Sequence, residues 1–284
     1  MPRLIVNADD FGLTRGVNRA IGDLAEAGAV TSTTLMANAP EAADAASTSK
    51  NNHRLGVGCH LVLVDGNPIA PPEQVASLLE PGTGRFYATL GAFVRALFRG
   101  RIRGEHLVTE ATAQIRRVRE LGIAPTHVDT HKHTHMFPQV LEAVLHAART
   151  EGVSAVRNPF EPAWAMACGP RTSRVRKLEV TTLSRLYRKQ FLRAVEAHSM
   201  LTTDGALGVA ATGTLDEKTL DGMMKALPGG TWELVCHPGY VDEALKKSST
   251  RLRESRATEA QSLFQMHARL TSAVQLIHFG ELRA

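Results

Sequence analysis

The chain has 284 residues, of which 43% are hydrophobic, so it can bury a full core as one α/β barrel or as two smaller domains. Its net charge of +5 is compatible with nucleic acid, but no helix-turn-helix, RNA-binding aromatic motif or zinc-finger spacing accompanies it. No segment has the roughly eighteen uninterrupted apolar residues of a membrane span. Three cysteines form no even disulfide framework. We expect one soluble cytoplasmic domain over residues 1–284, with no nucleic acid as partner.

Strand and helix patterns alternate along the whole chain. Short apolar runs predict buried strands at residues 4–7, 31–37, 55–63, 154–157, 207–210 and 231–236. Apolar residues at helical spacing predict helices at 17–25, from about 40, at 90–97, 107–121, 139–148, 171–193, 216–227 and 250–271. This alternation favours a parallel sheet with helices outside it. At this length the expected form is a single β/α barrel, for which we also allow an incomplete or distorted shape.

Four of the twelve histidines lie within nine residues, in the segment 126–135. A side-chain period of two puts His127, Asp129, His131 and His133 on one face of an extended strand. Imidazole and carboxylate groups are ligands that borderline divalent metals accept, so this face predicts a metal site at the carboxyl end of a strand. A solvated polar strand and a histidine-rich tract that binds metal adventitiously are the alternatives.

Ionisable residues also end three other predicted strands. Asp9 and Asp10 follow the first strand, His60 lies near the end of the third, and His237 ends the last. Each alone has a structural explanation, which is a turn for the aspartates and His237 and a satisfied core position for His60. Because a barrel gathers the carboxyl ends of its strands at one face, where its active site lies, we interpret these residues as parts of one site.

Four motifs resemble, in order and spacing, the YdjC-like carbohydrate deacetylases, a family that includes the chitooligosaccharide deacetylases. They are Asn7-Ala8-Asp9-Asp10-Phe11-Gly12, Gly58-Cys59-His60-Leu61, the segment 126–138, and Cys236-His237-Pro238-Gly239. Within the family, the segments 61–66, 71–72 and 156–162 are most similar to the hopanoid-biosynthesis-associated branch. The resemblance implies a metal-dependent N-deacetylase.

Residue by residue, the resemblance implies Asp10, His60 and His131 as metal ligands, Asp9 as general base and His237 as general acid. Neighbouring residues on a strand point apart, so both aspartates can serve one site only if the chain has left the strand at Ala8. Which aspartate is the base and which is the ligand therefore stays open.

Two further residues of the histidine segment receive supporting roles. Asp129 is placed to orient a ligand imidazole, and His133 to contact the substrate or the oxyanion. One carboxylate and two histidines suit a single divalent ion, with Zn²⁺ preferred over Co²⁺, Ni²⁺ or Mn²⁺, and with Mg²⁺ as an alternative if waters complete an octahedron.

The implied reaction is hydrolysis of the acetamide of an N-acetylated amino sugar, which releases acetate and a free amine. The hopanoid branch implies an N-acetylglucosaminyl group on a hopanoid lipid as substrate. Three alternatives stay open: a deacetylase of soluble chitooligosaccharides, another barrel metallohydrolase such as a phosphodiesterase, and a glycan- or metal-binding module without turnover.

Two basic amphipathic segments indicate where in the cell the protein could bind its substrate. Residues 93–103 alternate large apolar residues with arginine, and a second segment has apolar residues at helical spacing beside basic ones: Leu183, Leu186, Tyr187, Phe191 and Val195. Such segments can lie in a membrane interface, with cations on anionic headgroups. The alternative is two ordinary helices that pack their apolar faces on the barrel. With the resemblance, we expect peripheral contact with the inner face of the membrane.

Overall fold

A parallel sheet organises the molecule, which the computed structural model describes over residues 1–283. Its strands are β1 (Arg3–Phe11), β2 (Ser32–Leu35), β3 (Gly56–Leu61), β4 (Val128–Thr130), β5 (Gly205–Leu207), β6 (Thr231–Cys236) and β7 (Gln275–Leu276). They lie in the order β4-β3-β2-β1-β6-β5, and β7 pairs with the first two residues of β1. All these pairings are parallel, as the alternating pattern predicts.

Helices connect the strands and cover the outside of the sheet. They are α1 (Arg15–Glu26), α2 (Ala42–Lys50), α3 (Leu90–Phe98), α4 (Gly104–Glu120), α5 (Pro138–Thr150), α6 (Ala163–Ala167), α7 (Arg174–Ala197), α8 (Glu217–Ala226), α9 (Glu243–Lys247) and α10 (Glu254–Ala273). Local chemistry sets several helix starts. Thr14 and Asp216 cap α1 and α8, and Pro138 occupies the first turn of α5. The short helices α6 and α9 were not predicted.

Isolated bridges take the place of a regular strand between β4 and β5. They pair Val128 with Val156 and Ala155 with Leu201. The regular strand predicted at 154–157 is therefore wrong, although these residues occupy its expected position. Prolines in the run 158–162 lack the N–H groups that a ladder needs, so the strand cannot lengthen. The predicted β/α barrel is confirmed, in an incomplete and distorted form.

The histidine segment is less extended than its pattern suggests. β4 ends at Thr130, and residues His131–Met136 form a 3₁₀ turn in which Lys132 and His133 have φ of 58° and 53°. The Thr130 hydroxyl accepts the His135 N–H at 3.0 Å and so draws the chain out of the strand. The prediction of one continuous strand face is therefore wrong beyond Thr130.

Two aromatic rings pack inside the barrel at the amino-terminal ends of its strands. His127 stacks on Phe279, with ring centroids 3.7 Å apart and an angle of 14°. Gly58 on β3 makes room for this ring, because a Cβ there would lie 2.8 Å from His127 Nε2. His127 thus serves the base of the barrel and lies away from the carboxyl-end site.

Helix α7 presents a different surface from the predicted one. Phe191 and Val195 are buried, so that part of the predicted interfacial stripe is wrong. Leu186 of the predicted stripe is exposed by 63%, and Val175 and Leu178, which lie outside the predicted stripe, are exposed by 78% and 68%. Val175 and Leu178 lie in the first turns of the helix, and Leu186 lies near its middle. Among residues 1–283, no helix combines the length and apolar character of a bilayer span.

The packing around Gly58 predicts that Gly58→Ala destabilises the protein by about 1–3 kcal/mol, because the new methyl group must displace the His127 ring. Urea unfolding followed by far-UV circular dichroism measures this change. Gly91→Ala in α3 is the matched control, since a Cβ there meets no atom within 4 Å. An equal loss in both variants would contradict the proposed packing.

Candidate active site

A bulge in β1 brings both aspartates to the same site. Regular pairing with β2 holds at Asn7 and Ala8, then shifts before Phe11, and Asp10 has φ of 65°. Asp9 and Asp10 are both buried, with exposures of 2% and 3%. The strand therefore continues beyond Ala8, but its distortion removes the alternation that would have pointed the two carboxylates apart.

Asp10, His60 and His131 form one donor cluster. Asp10 Oδ1 lies 3.6 Å from His60 Nε2 and 3.3 Å from His131 Nδ1, and the two imidazole nitrogens are 3.4 Å apart. Asp10 Oδ1 is buried and has no hydrogen-bond partner among the described residues. A buried carboxylate oxygen without a partner, facing two imidazole nitrogens, fits the binding of a divalent cation.

Arg157 lies fully buried at the centre of the neighbouring charges. Its Nη1 and Nη2 donate to the two oxygens of Asp9 at 2.8 and 2.6 Å, and its Nε donates to Glu233 at 2.7 Å. It also contacts Asp129. Burial alone would raise the pKa of Asp9, but the guanidinium outweighs it and holds that pKa well below its usual range. Asp9 is therefore ionised at neutral pH.

Asp129 orients the ring of His60. Its Oδ1 lies 2.7 Å from His60 Nδ1, which leaves His60 Nε2 directed towards Asp10 and His131. Burial disfavours the imidazolium form. The carboxylates of Asp129, Asp9 and Asp10 outweigh burial, and they raise the pKa of His60 to about 9. The raised pKa of His60 thus reflects a strongly negative pocket, and a metal ion held by this ring would take the place of its proton.

His237 approaches Asp9 from the end of β6. Its Nε2 lies 3.8 Å from Asp9 Oδ2. Burial lowers the pKa of His237 to about 4, and the nearby aspartates oppose this shift only in part. The side chain is thus neutral at pH 7. Its main-chain N–H donates to Glu259 at 2.6 Å, and Arg256 from the same helix, α10, contacts Asp10.

His133 lies near the site but does not contact its carboxylates, contrary to what its position in the sequence suggests. Its Nδ1 is buried and, within the described part of the chain, makes no hydrogen bond. Burial, and then the charge of Arg157, hold the pKa of His133 well below its usual value, so the ring is neutral. It lies near the carboxylates without contacting them, unlike the other predicted site residues.

Sequence reasoning missed Arg157, Glu233, Arg256 and Glu259. Arg157 could have been found, because it ends the predicted strand 154–157 just as the acids and histidines end theirs. The other three had no comparable signal. Glu233 lies inside a predicted strand, and Arg256 and Glu259 lie inside the helix predicted at 250–271, where no pattern marks them as buried.

Comparison with known proteins gives a consistent family. The model of the family described as YdjC-like protein matches residues 3–271. A carbohydrate deacetylase of Geobacillus stearothermophilus is 34% identical over 88% of this chain and 85% of its own. A chitooligosaccharide deacetylase of Escherichia fergusonii is 37% identical over 53% of this chain and 57% of its own. A crystal structure from Enterococcus faecalis V583, of a protein described as acting in cellobiose-phosphate cleavage, has a TM-score of 0.75 and 25% identity, covering 100% of this chain and 99% of its own.

The central position of Arg157 predicts a large stability loss on its removal. Arg157→Met should cost about 3–5 kcal/mol of unfolding free energy, because it leaves buried carboxylates uncompensated. Arg157→Lys should lose less, since it keeps the charge but not the guanidinium fork. Urea denaturation checks both variants. Arg116→Met, which removes an exposed arginine paired with Glu151, is the control and should cost at most about 1 kcal/mol. Equal losses in the Arg157 and Arg116 variants would refute this account.

Proposed function

We propose that this chain, which belongs to the YdjC-like protein family, is a metal-dependent N-deacetylase that hydrolyses the acetamide of an N-acetylated amino sugar. The observation that carries the proposal is the unpartnered Asp10 Oδ1, which faces His60 and His131 beside the ionised Asp9. The names of the similar proteins, carbohydrate deacetylase and chitooligosaccharide deacetylase, support the reaction and the sugar substrate.

In this proposal Asp10, His60 and His131 hold one divalent ion, for which Zn²⁺ is preferred because the set is one carboxylate and two imidazoles. When bound, such an ion polarises the acetyl carbonyl and lowers the pKa of a water. Asp129 keeps the His60 ring in place for this purpose. Asp9, His60 and Asp129 form a second candidate set of metal ligands. This set is less suited to a metal ion, because Arg157 already binds both of its carboxylates.

Asp9 and His237 supply the proton transfers. Asp9 is ionised at neutral pH and accepts the proton of the attacking water. His237 Nε2 lies 3.8 Å from Asp9 Oδ2 and is neutral at pH 7, so it can take up this proton from Asp9. His237 then protonates the departing sugar amine. Each acid–base step is worth on the order of 10²- to 10⁴-fold in rate.

His133 is proposed to contact the substrate. Its ring is neutral and its buried Nδ1 has no partner in residues 1–283, so it can form a hydrogen bond with the acetyl oxygen or a sugar hydroxyl. A ring that met no substrate would leave this buried nitrogen unsatisfied at a cost in stability.

An acetate-release assay tests the reaction. Purified protein loaded with Zn²⁺ is incubated with acetylated amino sugars that include short chitooligosaccharides and an N-acetylglucosaminyl glycolipid. Asp9→Asn should lower acetate release by about 10²-fold or more while the fold and the metal content remain, because an amide cannot accept the proton. Asp221→Asn, which changes an aspartate on the outer helix α8, should keep full activity.

Three results would count against this assignment. Unchanged acetate release by Asp9→Asn would exclude Asp9 as the base. The absence of metal-dependent acetate release from every acetylated sugar would favour a binding module, and close to two metal ions per chain would favour a phosphodiesterase.

We also propose that the amino sugar is linked to a lipid, with a hopanoid as the implied carrier, and that the protein meets it at the inner face of the membrane. The support is the resemblance to the hopanoid-associated branch and the surface of α7. There Val175, Leu178 and Leu186 are exposed among Arg174, Arg185 and Lys189, so an apolar stripe carries flanking positive charge.

The end of α3 extends this surface through Phe98. Three other apolar residues of the predicted interfacial segment 93–103 are buried, so that part of the prediction is wrong: Phe93, Leu97 and Ile102. Phe98 is 67% exposed, and its ring packs edge-on against Phe137, which packs in turn against Tyr187 of α7. Phe137 directly follows the 3₁₀ turn that begins with His131. Phe137 thus connects the basic apolar surface to the turn that carries the proposed ligand His131, which supports access of a lipid-linked sugar to the site.

Co-sedimentation with liposomes tests the membrane contact. The protein should bind anionic vesicles at low salt, bind them less at high salt, and bind neutral vesicles weakly, because each basic residue contributes about 1 kcal/mol. The double variant Leu178→Glu/Leu186→Glu should abolish binding without unfolding the protein. Phe264→Glu, at a partly exposed position on α10, is the control. No binding to anionic vesicles, together with full activity on soluble chitooligosaccharides, would favour a soluble substrate.

A further inference from the structure

Helix α10 reaches the site with two buried charged residues that lie less than one turn apart. Arg256 and Glu259 have exposures of 0% and 1%. Arg256 Nη2 lies 2.5 Å from Asp10 Oδ2, and Glu259 Oε2 accepts the main-chain N–H of His237 at 2.6 Å. One helix therefore contacts two residues that come from opposite ends of the sequence.

Both the side chain and the main chain of Arg256 are held by hydrogen bonds. Its Nε donates to the Leu252 carbonyl at 2.9 Å, and its own carbonyl accepts the Gly239 N–H at 3.2 Å. Gly239 allows this approach, because a Cβ at that position would lie 3.1 Å from Arg256 Cδ. The guanidinium thus has a fixed position relative to both Asp10 and the end of β6.

This contact accounts for the asymmetry of the Asp10 carboxylate. Oδ2 is bound to Arg256, whereas Oδ1 has no hydrogen-bond partner in the described chain and faces the two histidines. Asp10 also has a positive φ, a strained conformation that persists only where surrounding contacts enforce it. Arg256 provides such a contact.

We propose that Arg256 is a positioning residue that presents Asp10 to the metal through Oδ1 alone. Glu259 is a second positioning residue, which holds His237 in place by accepting the main-chain N–H of His237. The metal part rests on the proposed function. Asp10 without Arg256 is free to turn, and its buried charge loses its partner. Contacts of this kind around a metal ligand typically change metal affinity by about 10- to 100-fold.

Metal binding tests the Arg256 assignment without any need for activity. Zn²⁺ affinity is measured by competition with a chromogenic chelator, and the visible spectrum of the Co²⁺-loaded protein reports the coordination. Arg256→Met should weaken Zn²⁺ binding by about 10- to 100-fold and change the Co²⁺ spectrum. Arg269→Met is the matched control, since it removes an arginine from the exposed face of the same helix, 64% exposed at its side chain.

Glu259→Gln separates the two contacts. It should leave Zn²⁺ affinity at the wild-type value but lower kcat several-fold with little change in KM, because it acts on His237 rather than on a ligand. A purely structural role for Arg256 and Glu259 would instead lower the melting temperature and leave metal affinity, spectrum and kcat of the folded variants unchanged.

Arg256→Lys provides a second variant if Arg256→Met fails to fold. Lysine lacks the separate Nε and Nη2 donors with which Arg256 contacts Leu252 and Asp10, so Zn²⁺ affinity should still fall, by about tenfold. Wild-type Zn²⁺ affinity and an unchanged Co²⁺ spectrum in a folded Arg256 variant would overturn the proposal. Normal metal binding by the wild type without acetate release would refute only the proposed function.

Discussion

The buried guanidinium of Arg157 is the interaction on which the carboxyl end of this barrel depends. It joins Asp9 of β1, Asp129 of β4 and Glu233 of β6. β1 and β6 are paired neighbours, but β2 and β3 separate β4 from β1 in the sheet, so Arg157 connects strands that the backbone pairing does not. A carboxylate buried without a partner is strongly unfavourable, so these groups require one another. Arg157 lies in the irregular stretch between β4 and β5, and its contacts connect the sheet where backbone pairing is weakest.

The same cluster explains why the pocket attracts cations. Three carboxylates face one guanidinium, and when all are ionised the group carries an excess of negative charge. Part of this excess is relieved because burial, despite the opposing effect of Arg157, raises the pKa of Glu233 to about 7. The remainder acts on His60, whose pKa is raised, and on the space between His60, His131 and Asp10. A cation in that space would be stabilised by the whole arrangement and not only by its nearest atoms.

Much of the fold and part of the site could be predicted from the sequence. Strand ends in a β/α barrel converge, so the positions of Asp9, Asp10, His60 and His237 could be related before any geometry was known. The bulge at Asp10 and the turn after Thr130 could not be predicted, because the rule that side chains alternate between two faces holds only for a regular strand. Arg256 was also out of reach. In a chain with 33 lysines and arginines, nothing in the sequence distinguishes a buried arginine from an exposed one.

The place of β1 in the sheet has a consequence for how the chain folds. β1 precedes the other strands of this sheet in the sequence, yet two of its neighbours, β6 and β7, follow all the others. Until those residues leave the ribosome, the edge of β1 that β6 later covers is unpaired and its apolar side chains lack part of their cover. Long-range pairing of this kind slows folding and exposes strands that can aggregate. The nascent chain therefore carries both aspartates of the site on an unprotected strand until β6 and β7 have been made, and a chaperone that shields this strand would be expected to raise the yield of folded protein.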